Sequence, residues 1–337
     1  KIGYHCKMRT SAIFIYFIAF LAFSHFAHTQ NSRVELLIAD SSLLSIVHPA
    51  TKIETLDTNF VFIEGPVWHP DGFLLFSDIP ADRIIRWSEE NGFSDFLNPS
   101  ANTNGLSFDK DNMLLMCSHR KRSVLRLDAN GETQTLAHTF GGLKLNSPND
   151  LVINKKGWIY FTDPCWGLTN QEQSPDKELR FNGVYLIKND SLLLIDSTLW
   201  RPNGITLSPD QRMLYVSDMF TDNKADTVKT VYRYLLDDSG LAAERKLLKV
   251  INPPHQILGR VNGFDGLKTD LSGNIYCTGP EGIVILNADG DYLGTIKTPN
   301  TPANCAWGGD DYQSLFITAR QHLYRIHLNV KGYKPTE

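Results

Sequence analysis

Six side chains ending in a carboxylate or an amide recur along this 337-residue chain, each at the head of an extended, apolar run. They are Glu64 in Glu64-Gly65-Pro66-Val67, Asn104 in Asn104-Gly105-Leu106-Ser107, and Asn149 in Asn149-Asp150-Leu151-Val152. Asn203, Asp265 and Asn304 open Asn203-Gly204-Ile205-Thr206, Asp265-Gly266-Leu267-Lys268 and Asn304-Cys305-Ala306-Trp307. Copies arranged around an axis make equivalent positions neighbours, so these six would ring one point. Two carboxylates, Glu64 and Asp265, with amide oxygens of Asn149 and Asn203, form a hard, all-oxygen set. Such a set suits Ca²⁺, which takes about 6–8 oxygens, better than zinc or copper; Mg²⁺, Zn²⁺ and Mn²⁺ are the alternatives. About four protein ligands leave room for water and a substrate oxygen, and an open position marks a catalytic cation. The cation would polarise a carbonyl or acidify bound water.

A plainer reading competes. Asn-Gly and Asp-Gly are the commonest tight-turn pairs, so Asn104, Asn203 and Asp265 could be turn residues. Against this, each copy carries its own turn further on, and Glu64, a poor turn former, holds the same slot. An outer set is read from the ends of the second runs: Asp78, His119, Asp163, Asp218 and Arg320. Asp at a strand end often caps a turn, and only His119 and Asp163 are carried forward as site candidates.

The elements that must position these side chains are hairpins. After each opening comes a short extended run, then a polar turn such as Pro70-Asp71-Gly72 or Ser208-Pro209-Asp210, then a second apolar run. A third run follows in each copy, Arg83 to Trp87 in the first and His322 to Ile326 in the last. Openings recur every 39 to 62 residues, and about 40–45 suffice for a four-stranded propeller blade. The pattern predicts an all-β, six-bladed β-propeller with the metal site at the top of its central channel. The segment around Ile53 to Phe62 would supply the outermost strand of the last blade, hiding exposed edges. The longer intervals hold insertions at Gly167 to Asn182, Asp218 to Asp226 and Asn252 to Arg260, all predicted on the face of the ring.

Composition excludes little. A formal net charge of −4 with 21% charged residues leaves no basic footprint for nucleic acid. The four cysteines after Cys6 (Cys117, Cys165, Cys277 and Cys305) lack paired metal spacing. In the second runs, Cys117 and Cys277 read as small buried hydrophobes.

Three regions are expected. Residues 1–30 are an upstream extension and signal peptide: Met8-Arg9 precedes an apolar run from Ile13 to Phe23, shorter than the roughly 20 residues that span a bilayer. Export to a periplasm or the exterior follows, with no membrane contact beyond that segment. Residues 31–52 read as an N-terminal helix or arm, and 53–337 as the propeller.

Several motifs resemble the gluconolactonase branch of the SMP-30/gluconolactonase/LRE-like family. They are Asn102-Thr103-Asn104-Gly105-Leu106, Asn146-Ser147-Pro148-Asn149-Asp150, Phe161-Thr162-Asp163-Pro164, Arg201-Pro202-Asn203-Gly204 and Gly263-Phe264-Asp265-Gly266. The resemblance implies a six-bladed propeller with one divalent cation, usually Ca²⁺, held by Glu64, Asn149, Asn203 and Asp265. Asn104 maps to a pocket residue contacting substrate or water, and Asp163 joins it as a substrate-binding candidate. Cys165-Trp166-Gly167 stands where Pro-Tyr-Gly is usual, changing the pocket wall. The implied reaction is hydrolysis of a sugar lactone to the aldonic acid, with Asp265 as general base and His119 as the fallback proton acceptor. The alternatives are a lactonase or phosphotriesterase for other esters, and a non-catalytic binding propeller.

Overall fold

The computed structural model describes residues 31–219, 230–249, 263–279 and 281–336. The expected signal segment and most of the two insertions expected after Asp218 and Asn252 lie outside the described residues.

Strand formation follows from alternation with both faces apolar. In the strand Phe73–Asp78 every residue is buried. Phe73 and Leu75 pack toward one neighbouring blade, while Leu74 and Phe76 pack toward the other. A strand covered on both sides reads as a continuous apolar run, and the described residues accordingly form six hydrophobic clusters, one in each seam between adjacent blades.

Six blade sheets, each antiparallel, run outward from the axis, and a separate two-stranded ribbon joins Thr139–Phe140 to Leu143–Lys144. Blade 1 comprises Ile63–His69, Phe73–Asp78, Arg83–Ser88 and Gly92–Leu97. Blade 2 comprises Thr103–Phe108, Leu114–Ser118, Ser123–Leu127 and Thr133–Ala137. Blades 3 and 4 begin with Leu151–Ile153 and Pro202–Leu207, blades 5 and 6 with Leu267–Thr269 and Asn304–Gly308.

Ring closure comes from the N-terminal side. The strand Lys52–Asp57 pairs with His322–His327 as the fourth strand of blade 6, Ile53 lying opposite Ile326. The segment before it, expected as an arm lying against the propeller, is woven into two sheets. Asn31–Arg33 pairs outside Lys52–Asp57, and Leu36–Ile38 pairs with Tyr292–Lys297 at the rim of blade 5. A single helical turn, Leu43–Ile46, buries Leu43 and Ile46 between blades 5 and 6. These short strands cover edges that would otherwise present unpaired N–H and C=O groups.

All four described cysteines are free and buried. Cys117 and Cys277 pack within seam clusters, as small hydrophobes do. Among the described residues no helix is long and apolar enough to cross a membrane.

Candidate active site

The first strands start, and the second strands end, at one mouth of the channel. There, Glu64, Asn104, Asn149, Asn203 and Asp265 line a single cavity of about 320 Å³, together with His119. Glu64, Asn104, Asn149 and Asn203 are each no more than 4% exposed. Glu64, Asn104 and Asn203 are each the second residue of a first strand, in three different blades, and Asn149 and Asp265 each lie two residues before the first strand of theirs. Residues 201 positions apart in the chain therefore share one wall.

Two devices hold the ring tight. The glycine after the ring residue lets neighbouring first strands touch: a Cβ on Gly105 would lie 2.5 Å from the Asn149 carbonyl oxygen, and one on Gly204 would meet that of Asp265. Instead the Gly105 N–H donates to the Asn149 carbonyl (2.8 Å), and Gly204 donates to Asp265 (3.0 Å). Asn-Gly here is a close-approach motif rather than a turn. The second device is a hydroxyl one residue before the second strand's end. Ser77 Oγ donates to the carbonyl of Asn104 (2.7 Å), Thr162 Oγ1 to that of Asn203 (2.6 Å), and Ser217 Oγ to that of Asp265 (2.6 Å). Blades 1, 3 and 4 thus anchor the ring residue of the blade that follows.

The outer set divides by register. Asp78 is paired with Ile63, and Asp218 with Pro202, each one residue before a ring side chain. In blade 2 the residue in that register is Ser118, opposite Thr103, so His119 lies one step further out. The carboxylates in the Asp register cap the strand entry. Asp78 Oδ1 accepts from the Phe62 N–H (3.1 Å), Asp218 Oδ1 from Arg201 (2.7 Å), and Asp163 Oδ2 from Asn146 (2.7 Å). Asp163 is fully buried, and burial pushes its carboxyl up to about 7. It does not line the cavity, so a capping role replaces the substrate contact expected from sequence. Arg320 borders an adjoining pocket of about 180 Å³ that shares Phe62, Met219 and Asp265 with the main cavity. Asn304 leaves the ring as well: its Nδ2 donates to Asp150 Oδ2 at 3.2 Å.

Electrostatics at the mouth are lopsided. Glu64 and Asp265 face each other's charge and that of Asp150, a carboxylate only 2% exposed. Burial, reinforced by Asp150, pushes Glu64 up to about 7, even though its Oε2 accepts from the Gly65 N–H at 2.9 Å. Burial and the Glu64 charge push Asp265 well above the carboxylate range. Among the described residues Lys268 answers them: its Nζ donates to Asn304 Oδ1 at 3.4 Å and lies 3.9 Å from Asp150. Asp150 and Lys268 stand inside ring motifs, yet the sequence pattern alone gives neither a role. Nor does it give one to Ile79 and Met219, which line the cavity from the position that His119 holds in blade 2.

Among the described residues, four buried polar atoms on cavity residues have no hydrogen-bond partner: Asn203 Oδ1, Asp265 Oδ1, His119 Nε2 and Trp166 Nε1. An orphaned buried acceptor costs about 1–3 kcal/mol. Two orphaned oxygens beside two carboxylates of raised pKa fit a hard cation, which would satisfy both at once. Among the described residues no three of His, Cys, Asp and Glu cluster as a metal cage. The fitting set is two carboxylates completed by two amides, a composition that disfavours zinc.

Residues 62–321 match the SMP-30/Gluconolactonase/LRE-like region. The chain belongs to that family. A gluconolactonase of Zymomonas mobilis is 35% identical over 306 residues, covering 86% of this chain and 84% of the relative. A pentonolactonase of Haloferax volcanii is 27% identical over 275 residues, covering 80% and 84%. Among solved structures, a gluconolactonase of Xanthomonas campestris superposes with a TM-score of 0.74 at 29% identity, covering 89% of this chain and 95% of that one. The SMP-30/gluconolactonase/LRE-like region begins at Phe62 and ends at Arg320-Gln321. It thus takes in every ring residue and leaves the closing strand Lys52–Asp57 outside.

Proposed function

We propose that this chain is a lactone hydrolase that opens a sugar lactone to its aldonic acid, with one divalent cation, calcium first, held by Glu64, Asn149, Asn203 and Asp265. The observation that carries this reading is the meeting of those four side chains in one cavity, with two of their oxygens unpartnered. Relatives bearing gluconolactonase and pentonolactonase names support the substrate class.

A divalent cation bound there supplies Lewis acidity toward the lactone carbonyl. The protein's own groups do the rest. Asn149, Asn203 and Asp265 are fixed by the hydroxyl and glycine contacts, and the Glu64 carboxylate by the Gly65 N–H, so their geometry costs no rearrangement when substrate enters. Asn104, buried on the cavity wall, offers an amide to the ring hydroxyls. Asp265 is the proposed acceptor of the proton from attacking water. His119 is the second acceptor: burial lowers it to about 4, so it is neutral at pH 7 with Nε2 unpartnered. Phe62, Ile79, Pro80 and Met219 limit the water that reaches the reacting carbonyl.

Acid release from glucono-1,5-lactone at constant pH, measured with calcium and with chelator against the spontaneous rate, tests this. Calcium-dependent turnover well above the blank is expected, with Asp265→Asn reduced to the blank. Equal rates with and without protein would exclude the reading. Full activity of Asp265→Asn in calcium would remove its assigned role and leave His119.

A further inference from the structure

Beside the ring, the cavity has one wall built from the insertion after blade 3's second strand. Trp166 lines the cavity, and its neighbours on both sides are pinned. Before it, the Cys165 thiol donates to Glu172 Oε1 at 2.9 Å. After it, the Gly167 N–H donates to Ser147 Oγ at 2.9 Å, and that hydroxyl donates to the Pro164 carbonyl at 2.6 Å. A Cβ on Gly167 would lie 2.6 Å from the His119 side chain, so the turn rests directly on a cavity residue.

The indole is held from one face. The Arg201 guanidinium carbon lies 4.2 Å from the ring centroid of Trp166. Arg201 is 9% exposed, and its Nε lies 3.4 Å from Glu172 Oε1. Glu172 is the knot of this web: besides Cys165 and Arg201, it accepts from Asn182 Nδ2 at 2.9 Å and pairs with Lys177 at 3.9 Å. A buried guanidinium stacked on an aromatic face and paired with a partly buried carboxylate fixes the plane of that ring. None of these groups is needed to hold a cation.

The cavity therefore joins a set of oxygens to a flat, immobilised aromatic wall, with Phe62, Ile79, Pro80 and Met219 completing the apolar part. A sugar-type lactone has the matching two-sidedness, with oxygens around its edge and C–H groups on its ring faces. We propose that Trp166 is the specificity-determining wall on which the C–H face of the lactone ring lies, and that Arg201 and Glu172 are positioning residues that hold its plane. The proposal rests on the lactone reading above. It predicts that the enzyme takes a single, flat-faced monocyclic lactone, and that Trp166 acts on binding while the ring oxygens act on turnover.

The test is steady-state kinetics on glucono-1,5-lactone for wild type, Trp166→Ala, Trp166→Phe, Arg201→Met and Arg201→Lys, each checked by thermal melting and calcium titration. Loss of a stacking wall raises KM about tenfold in Trp166→Ala, with kcat within about twofold. Trp166→Phe, which keeps a flat ring, recovers most of the loss. Arg201→Met raises KM severalfold, and Arg201→Lys, which keeps a cation over the indole, raises it less. Calcium affinity stays at the wild-type value in all four. A KM for folded Trp166→Ala within twofold of wild type overturns the proposal, as does a kcat loss with KM unchanged. Wild type without lactone turnover overturns both this proposal and the functional reading, whereas wild-type turnover with an indifferent Trp166 overturns this one alone.

Discussion

Three carboxylates and one ammonium meet beneath the mouth of the channel, and their balance sets how strongly the site attracts a cation. Lys268 lies 3.9 Å from Asp150 and within reach of Asn304. At that distance a charge pair in a partly screened site interacts by about 1–4 kcal/mol. Lys268→Met should therefore bind calcium about tenfold more tightly, a change of about 1.4 kcal/mol. Titration calorimetry reads this directly; unchanged affinity would deny Lys268 a counter-charge role. His119 carries a separate pH signature. Its folded value, about 4, lies below its ordinary 6.5. The stability of its neutral form is complete above 6.5 and is lost as pH falls toward 4, by roughly 1.4 kcal/mol per unit. Urea midpoints of wild type should fall more steeply across that window than those of His119→Gln. Parallel slopes would mean that the imidazole is not buried as the structure places it.

At the scale of elements, the repeated unit is a first strand with a ring residue and a second strand whose penultimate residue reaches into the next blade. Ser217 Oγ and the Gly204 N–H both donate to the Asp265 carbonyl. Ser217→Ala should cost about 1–2 kcal/mol of stability and weaken calcium binding, since the Asp265 carbonyl loses one of its two donors; guanidinium unfolding and calorimetry together check this. A stability loss with wild-type calcium affinity would separate that hydroxyl from the site. Cys117 holds the equivalent slot in blade 2, where a thiol is a weak donor. The ring was legible because its members share one setting: Glu64 in a slot otherwise filled by Asn or Asp cannot be explained by turn chemistry. The outer set was less legible, since register is decided by cross-strand pairing. Asp163 and His119 look equivalent along the chain, but one strand end is offset by a residue, and with period-two geometry one step separates a capping carboxylate from a cavity side chain. Trp166 could be read only as a changed wall, because its plane depends on Arg201, 35 residues later.

For the whole molecule, stability resides in seams rather than a central core, and the circle must close. Lys52–Asp57 closes it against His322–His327, with Arg325 pairing to Glu54 (2.7 Å) and to Glu89 (2.6 Å) next to blade 1. The C-terminal segment reinforces the other end of the channel: Tyr333 donates its N–H to the Thr269 carbonyl at 3.1 Å, and Gln211 Nε2 donates to the Tyr333 hydroxyl at 2.5 Å. Ile53, 3% exposed, sits in the closing strand. Ile53→Asp should destabilise the protein by about 3–5 kcal/mol, through the lost side-chain burial and the buried charge, and lower calcium affinity although it lies in no ligand's neighbourhood. A melting temperature within a few degrees of wild type would mean that the closing strand is dispensable. Closure by an N-terminal strand was legible from the strand-like run after Ile53. The three-residue strands at 31–33 and 36–38 were not, because segments that short carry no periodicity.

Calcium titration calorimetry on wild type, Glu64→Gln and Asp265→Asn measures most directly whether the four side chains share one ion. The expected result is one calcium per chain in wild type, with affinity falling at least about a hundredfold in each variant, as removing a buried charged ligand requires. Wild type without a stoichiometric site, or variants that bind calcium as tightly as wild type, would contradict a cation held at the mouth of the channel.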